Sequence, residues 1–486
     1  MKTNDNITLP KPFAVAVDDL GWMNGGSLAE SGGPWRIGFK RKMELSDYHP
    51  FVEVGKAVGV RIQTLFTLAE MDRLNVLKNY PTATQAGKNW DNSSNVSFEQ
   101  LKIIDYVKDN SAYMEFGLHG VGHEHWENGK RTRAEWYDME NDKPWSEKDT
   151  LDHIKAYKEI LAQYGLTKEN GHSFPESFVP CSWAMYWNPD GDYSTAKALR
   201  KEGVKFANTW FETFEELNPP VKFGGGIDHG MLVVNRYNYG NEWYMVSSTP
   251  KKKPKEFKTN VIESHWANWL ATDEFLQPET NRKWIDFYKG IQKSETHYLA
   301  KNTEQFSSQW LYMKFAKIKS SGKGKLIIDN RKMPDEVYEN DLLGALVIKI
   351  KLKENEHLSE ASINGESISA YFEDAGCGFI YLSRLQKKNY ELKYKTGKKM
   401  ISETVYNDGT YNVYRFSKNG NEVKIDLKMY GTQEVKVYSR KPKRISISNK
   451  NLKLLSKKYD EPLGLLRLKL KANDFQGERG IIKLNL

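Results

Sequence analysis

Cysteine is nearly absent. Cys181 and Cys377 are the only two in 486 residues, and their separation of about 200 residues excludes a disulfide framework and makes a single bridge between them unexpected. Long apolar runs are missing as well. No segment approaches the roughly 18 apolar residues of a membrane span, and the polar start from Met1 to Pro12 has no apolar core of a signal peptide. Membrane insertion is therefore not expected; a periplasmic or secreted location would require a leader already removed, and otherwise the chain is cytoplasmic. Excess positive charge is missing from the first two-thirds. From Lys319 onward there are 33 Lys and Arg against 21 Asp and Glu, whereas the preceding residues hold 39 against 42, so the whole net charge of +9 belongs to the C-terminal part. That excess suits an anionic polysaccharide or an ordinary solvated β-face. Neither a helix-turn-helix, a zinc finger nor an aromatic ribonucleoprotein signature accompanies it, so nucleic acid is not an expected partner.

Aromatic residues, by contrast, are abundant. With 14 Trp, 26 Tyr and 21 Phe they make 13% of the chain, enough for a large core and for stacking platforms under sugar rings. A hydrophobic fraction of 39% and a charged fraction of 28% fit a folded chain, and the length exceeds what one core usually serves. Through about residue 318, short apolar runs alternate with helix-like stretches. The runs begin at Phe13, Val60, Met114, Phe178, Phe206, Met231 and Val261. Seven strands joined by crossovers predict an α/β fold, a closed or nearly closed barrel with its chemistry in the loops after the strands. Ser320-Ser321-Gly322-Lys323-Gly324 reads as a linker. Beyond it, alternating runs and Asn-Gly turns predict a β-sandwich over 325–440, with 441–486 completing it or forming a small β unit.

Val15-Ala16-Val17-Asp18-Asp19 ends the first run with two adjacent carboxylates, of which one could bind a metal while the other acts as general base. After the third run comes His119-Gly120-Val121-Gly122-His123-Glu124-His125. His119 and His123 stand four apart, aligned for one ion if the chain turns helically; His125 is off that register and reads as a substrate contact. Three histidines out of ten in the protein fall in these seven positions.

An Asp-Asp pair ending the first strand and a later His-x-x-x-His resemble the polysaccharide deacetylase (NodB-homology) superfamily, a likeness that covers about 320 residues. The resemblance implies an irregular (β/α)7-type barrel, Asp18 as catalytic base, Asp19, His119 and His123 as ligands of one divalent ion, and His265, after the last run, as acid. Zinc is the implied ion, with cobalt, nickel or manganese compatible with the donors. Where the family has Arg-x-Pro-Tyr, this chain has Phe178-Val179-Pro180-Cys181-Ser182-Trp183. The arginine that contacts the base in the family is lost, while the backbone of Cys181 could still donate to an oxyanion. The family's later Asp-Trp motif has no clear counterpart. Trp183, Trp187, Trp210, Trp266 and His229 are the remaining expected substrate contacts. The implied activity is metal-dependent removal of acetyl groups, N- or O-linked, from a neutral or anionic polysaccharide or glycan. A glycoside hydrolase using paired carboxylates and a non-catalytic glycan-binding protein are the alternatives.

Overall fold

The seven apolar runs form the seven parallel strands of a closed barrel in the computed structural model, which describes residues 7–211 and 224–486. They are β1 (Lys11–Leu20), β2 (Ile62–Thr67), β3 (Met114–Gly120), β4 (Ser177–Phe178), β5 (Phe206–Thr209), β6 (Met231–Tyr237) and β7 (Val261–His265). Neighbours in sequence are neighbours in space, and β7 closes on β1 with Val261 opposite Ala14 and His265 opposite Asp18. Every residue of β2 and β3 is buried, as expected of parallel strands covered on both faces.

Helices α1 (His49–Val58), α2 (Phe98–Asp109), α3 (Glu147–Ala162) and α4 (Thr195–Glu202) fill the first four crossovers. Local chemistry starts and stops them: Ser97 and Gln100 form a capping box on α2, Ser146 caps α3, and Gly203 ends α4 in the left-handed region. Strict alternation then lapses. Between β6 and β7 the chain makes only a short 3-10 turn at Pro254–Glu256 and no α-helix, so the barrel is seven-stranded without being a regular (β/α)7 repeat.

The chain divides into two compact units. One holds Ala14–Val58 and Ile62–Phe287, and with them the barrel. The other gathers the described residues up to Phe13, Gly59–Arg61 and Tyr288–Leu486, and its strand pairs are antiparallel except for two parallel ones. The Ser-Ser-Gly-Lys-Gly segment expected as a linker is instead a hairpin turn. It joins Lys317–Ser320 to the antiparallel Lys325–Asp329, closed by the Lys325 N–H donating to the Gly322 carbonyl. Strands β8 (Thr432–Tyr438), β9 (Leu452–Asp460) and β10 (Leu465–Ala472) end this unit's eight-stranded sheet in the order β8-β10-β9, with β9 at the edge. Along β10, Leu468, Leu470 and Ala472 are buried while Lys469 and Lys471 are exposed, the period-two alternation of a strand with one face in the core.

Candidate metal centre and substrate cleft

Two consecutive strand residues normally point to opposite faces. Asp18 and Asp19 escape this because Asp19 adopts a left-handed backbone with φ of 74°, where the β1–β2 register also slips between Val17 and Leu20. Both carboxylates are buried, 2% and 1% exposed, yet they serve different partners. Gly21 tightens the same turn, since a Cβ there would lie 2.1 Å from the Thr67 carbonyl oxygen.

Asp19 faces imidazoles. Its Oδ1 lies 3.2 Å from His119 Nε2 and 3.7 Å from His123 Nε2, and its Oδ2 lies 3.9 Å from His265 Nε2. His119 Nδ1 stands 2.7 Å from the Val179 carbonyl and so must carry the proton, which leaves the Nε2 lone pair facing the carboxylate. Asp19 Oδ1 is buried with no hydrogen-bond partner among the described residues. An orphaned carboxylate oxygen beside an imidazole lone pair is a cradle for a cation. Around His123 burial works against a charge, but Glu124, Asp19 and Glu135 outweigh it and raise its pKa, so this pocket favours positive charge. Among the described residues, His119, His123 and Cys181 form a buried group whose ligand atoms lie within 4.8 Å of one another and could hold a metal ion. The thiol is the weaker donor of that set. Burial and the carboxylates of Glu135 and Asp19 push its pKa well up, and it donates to the His119 carbonyl at 3.4 Å.

The histidines do not sit on a helix. His119 belongs to β3, and His123 lies in a bend with φ of 69°. What shapes the bend is Glu135, whose carboxylate accepts the N–H groups of Val121, Gly122 and His123 at 2.7 to 3.1 Å and faces His153 Nδ1 at 2.9 Å. Gly120 leaves room for it, since a Cβ there would lie 2.2 Å from the Glu135 oxygen.

Asp18 is clamped instead by Arg236, whose Nη1 and Nη2 donate to its two oxygens at 2.9 and 2.5 Å. Burial raises the Asp18 pKa, but Arg236, His119 and His265 more than offset this and hold it below its ordinary value. Thus an arginine, absent from the fourth strand where the resemblance would place it, contacts Asp18 from β6, 218 residues after it. The sequence held a clue: a lone arginine inside the apolar run Met231-Leu-Val-Val-Asn-Arg-Tyr237 needs a buried acid. Arg236 Nε also lies 3.6 Å from Glu263, which accepts from Trp183 Nε1 at 2.7 Å. Burial raises the Glu263 pKa against the opposing pull of Arg236 and His265.

A cleft of about 370 Å³ opens over these groups. Asp18, Asp19, His119, His123, Trp183 and His265 of the expected residues line it. Sequence reasoning missed the rest of the wall, notably Trp35, Trp243, Arg131 and Arg133. Trp35 stacks on His123 with ring centroids 4.7 Å apart and meets Trp243 edge-on. Its loop is anchored by the Arg36–Glu70 ion pair and by the Trp35 N–H donating to Glu124.

Several expected contacts lie elsewhere. His125 stacks on Trp145 at 3.7 Å, and burial lowers its pKa to about 4. Trp266 is fully buried, donating to the Asp47 carbonyl. His229 sits in the turn that starts β6, at the strand end opposite Arg236, with its Nε2 3.1 Å from the Asn188 carbonyl. Trp187 packs over Gly226, and Trp210 backs Trp183 edge-on at 5.3 Å. Cys181 is buried beneath the histidines, and its side chain does not line the cleft. Neither a protein-family model nor a curated protein matches this chain.

Proposed function

We propose that this chain is a metal-dependent hydrolase of the polysaccharide deacetylase type, with a barrel of the irregular (β/α)7 kind and a β-sandwich after it, removing acetyl groups from a polysaccharide or glycan. One observation carries the reading: the adjacent acids of β1 have opposite partners, Asp18 a guanidinium and Asp19 two imidazoles. Asp19, His119 and His123 would hold a divalent ion, zinc being the best fit to those donors, which would supply Lewis acidity and a more acidic water. Asp18, kept ionised by Arg236, takes the proton from the attacking water. The Cys181 N–H steadies the oxyanion. As the bond from the acyl carbon to the sugar oxygen or nitrogen breaks, His265 protonates the leaving atom, and Trp35, Trp183 and Trp243 give the sugar its stacking faces.

A glycosidase would use Asp18 with Glu263, whose pKa values are pushed in opposite directions. Against it, Glu263 is engaged by Trp183 and Arg236 and does not line the cleft. Metal analysis and acetate release from acetylated polysaccharides decide between them. Asp18→Asn should keep the metal and lose turnover, and His119→Ala should lose both. Reducing-end formation without acetate would favour the glycosidase, and glycan binding without either product the binding protein.

A further inference from the structure

Part of the excess positive charge of the C-terminal part lies on one sheet face. Register places Lys453 of β9 opposite Lys471 of β10, and Lys458 opposite Arg467. On the other side of β10, Arg467 faces Lys436 of β8. Lys469 stands between Arg467 and Lys471 on the same face. Six cations thus share a face with Glu434, which pairs with Arg467, and Asp460, while Asp408 pairs with Lys436. Lys453, Lys458 and Lys469 are exposed and have no ion pair among the described residues.

Like charges directly opposite one another on neighbouring strands are destabilising; elsewhere in this unit Lys325 faces Lys393, Lys424 faces Lys483 and Lys428 faces Arg479, each with an acid beside at least one member. Lys325 and Lys393 both pair with Glu391, Lys395 with Glu360, and Arg479 with Asp426. Lysine on an edge strand guards against pairing with other chains, which would account for β9. It does not account for β10, an interior strand that carries Arg467, Lys469 and Lys471 on its outward face, with Glu434 opposite Lys469. Tyr406 and Tyr438 continue the face, since Lys436 lies opposite Tyr406, and both rings are only partly buried.

We infer that this face binds a linear anionic polysaccharide, its carboxylate or sulfate groups meeting the lysine rows on strands about 4.8 Å apart and its sugars reaching the tyrosine rings. The choice of a glycan over another polyanion rests on the hydrolase reading. The binding itself does not need catalysis, and it is measured on the full chain in chelator.

The probes are polygalacturonate, neutral dextran and a single-stranded DNA oligonucleotide, titrated at two salt concentrations. Polygalacturonate should bind and dextran should not. Lys453→Gln/Lys458→Gln/Lys469→Gln should weaken binding at least tenfold at low salt and reduce the salt slope by about three. A matched variant, Lys325→Gln/Lys424→Gln/Lys441→Gln, removes equal charge from paired lysines and should change affinity less than threefold. Equal losses in both variants would reduce the effect to net charge and overturn the site, as would no binding of polygalacturonate. Tighter binding of the oligonucleotide would overturn the glycan assignment. Polygalacturonate binding by this face in a protein that releases no acetate would uphold the site while the hydrolase reading fell.

Discussion

Both units bury charge, but they do so in opposite ways. In the second unit, Lys349 donates to the carbonyls of Gln292, Ser294 and His297 and lies over the Phe379 ring. Lys301 lies over Phe372 at 4.2 Å, and burial lowers its pKa to about 8. Lys349 is satisfied by neutral carbonyls, and Lys301 rests on a neutral ring with Asp408 and Asp374 pulling against the burial. In the barrel, acids outnumber the one deeply buried arginine, and acceptors are left over: Asp19 Oδ1 and Glu124 Oε2 have no hydrogen-bond partner among the described residues. The lesson is that buried charge alone does not mark a site. Unsatisfied acceptors converging on one space do, because that arrangement is unstable until a cation or substrate completes it.

The sharpest test of the barrel half is His265→Ala. Turnover should fall roughly 10²–10⁴-fold with the protein still folded and metal bound, as read by steady-state kinetics and metal analysis. A larger loss in His229→Ala would move the acid to the other end of the barrel and break the comparison. Arg236→Met leaves Asp18 and Glu263 buried without their counterion and should destabilise the protein by about 3–5 kcal/mol, measured by denaturant unfolding. Adding Asp18→Asn should restore part of that loss, and a double variant no more stable than the single would show that the two residues are not coupled. Glu135→Gln keeps the shape but weakens the hold on three N–H groups, and should lower metal affinity by about 10–100-fold while barrel stability changes little.

The smallest effect belongs to the second unit. Because the Lys301 pKa is depressed on folding, the folded state loses this proton near pH 8 and the unfolded state only near its ordinary value of 10.5. Its cost is fully present below pH 8, and stability rises through the window above. Lys301→Met should therefore be more stable than the parent by about 1–3 kcal/mol at pH 7, with the gap narrowing by pH 9.5. A constant gap would mean that the lysine is solvated after all.

Part of this was legible in the chain itself. The seven apolar runs are local features, and each became a barrel strand. The Asp-Asp and His-x-x-x-His spacings are local too, and the fold brings Asp19, His119 and His123 together. The hairpin at Gly322 was misread as a linker because glycine and serine suit both, and only a partner strand distinguishes them.

What the sequence by itself determined is therefore the strand periodicity, the chemistry offered at the strand ends and the basic excess of the last third. Tertiary structure decided which groups meet. Arg236 reaches Asp18 across 218 positions because β6, β7 and β1 are neighbours in a closed sheet. Glu135 overrode the helical spacing of the histidines by drawing three backbone N–H groups onto one carboxylate. Trp266 and His125 went to the core while Trp35 and Trp243 went to the cleft. Side-chain type sets what a residue can do, but the long-range pairing of strands and the anchoring of loops set which solvent or partner it faces.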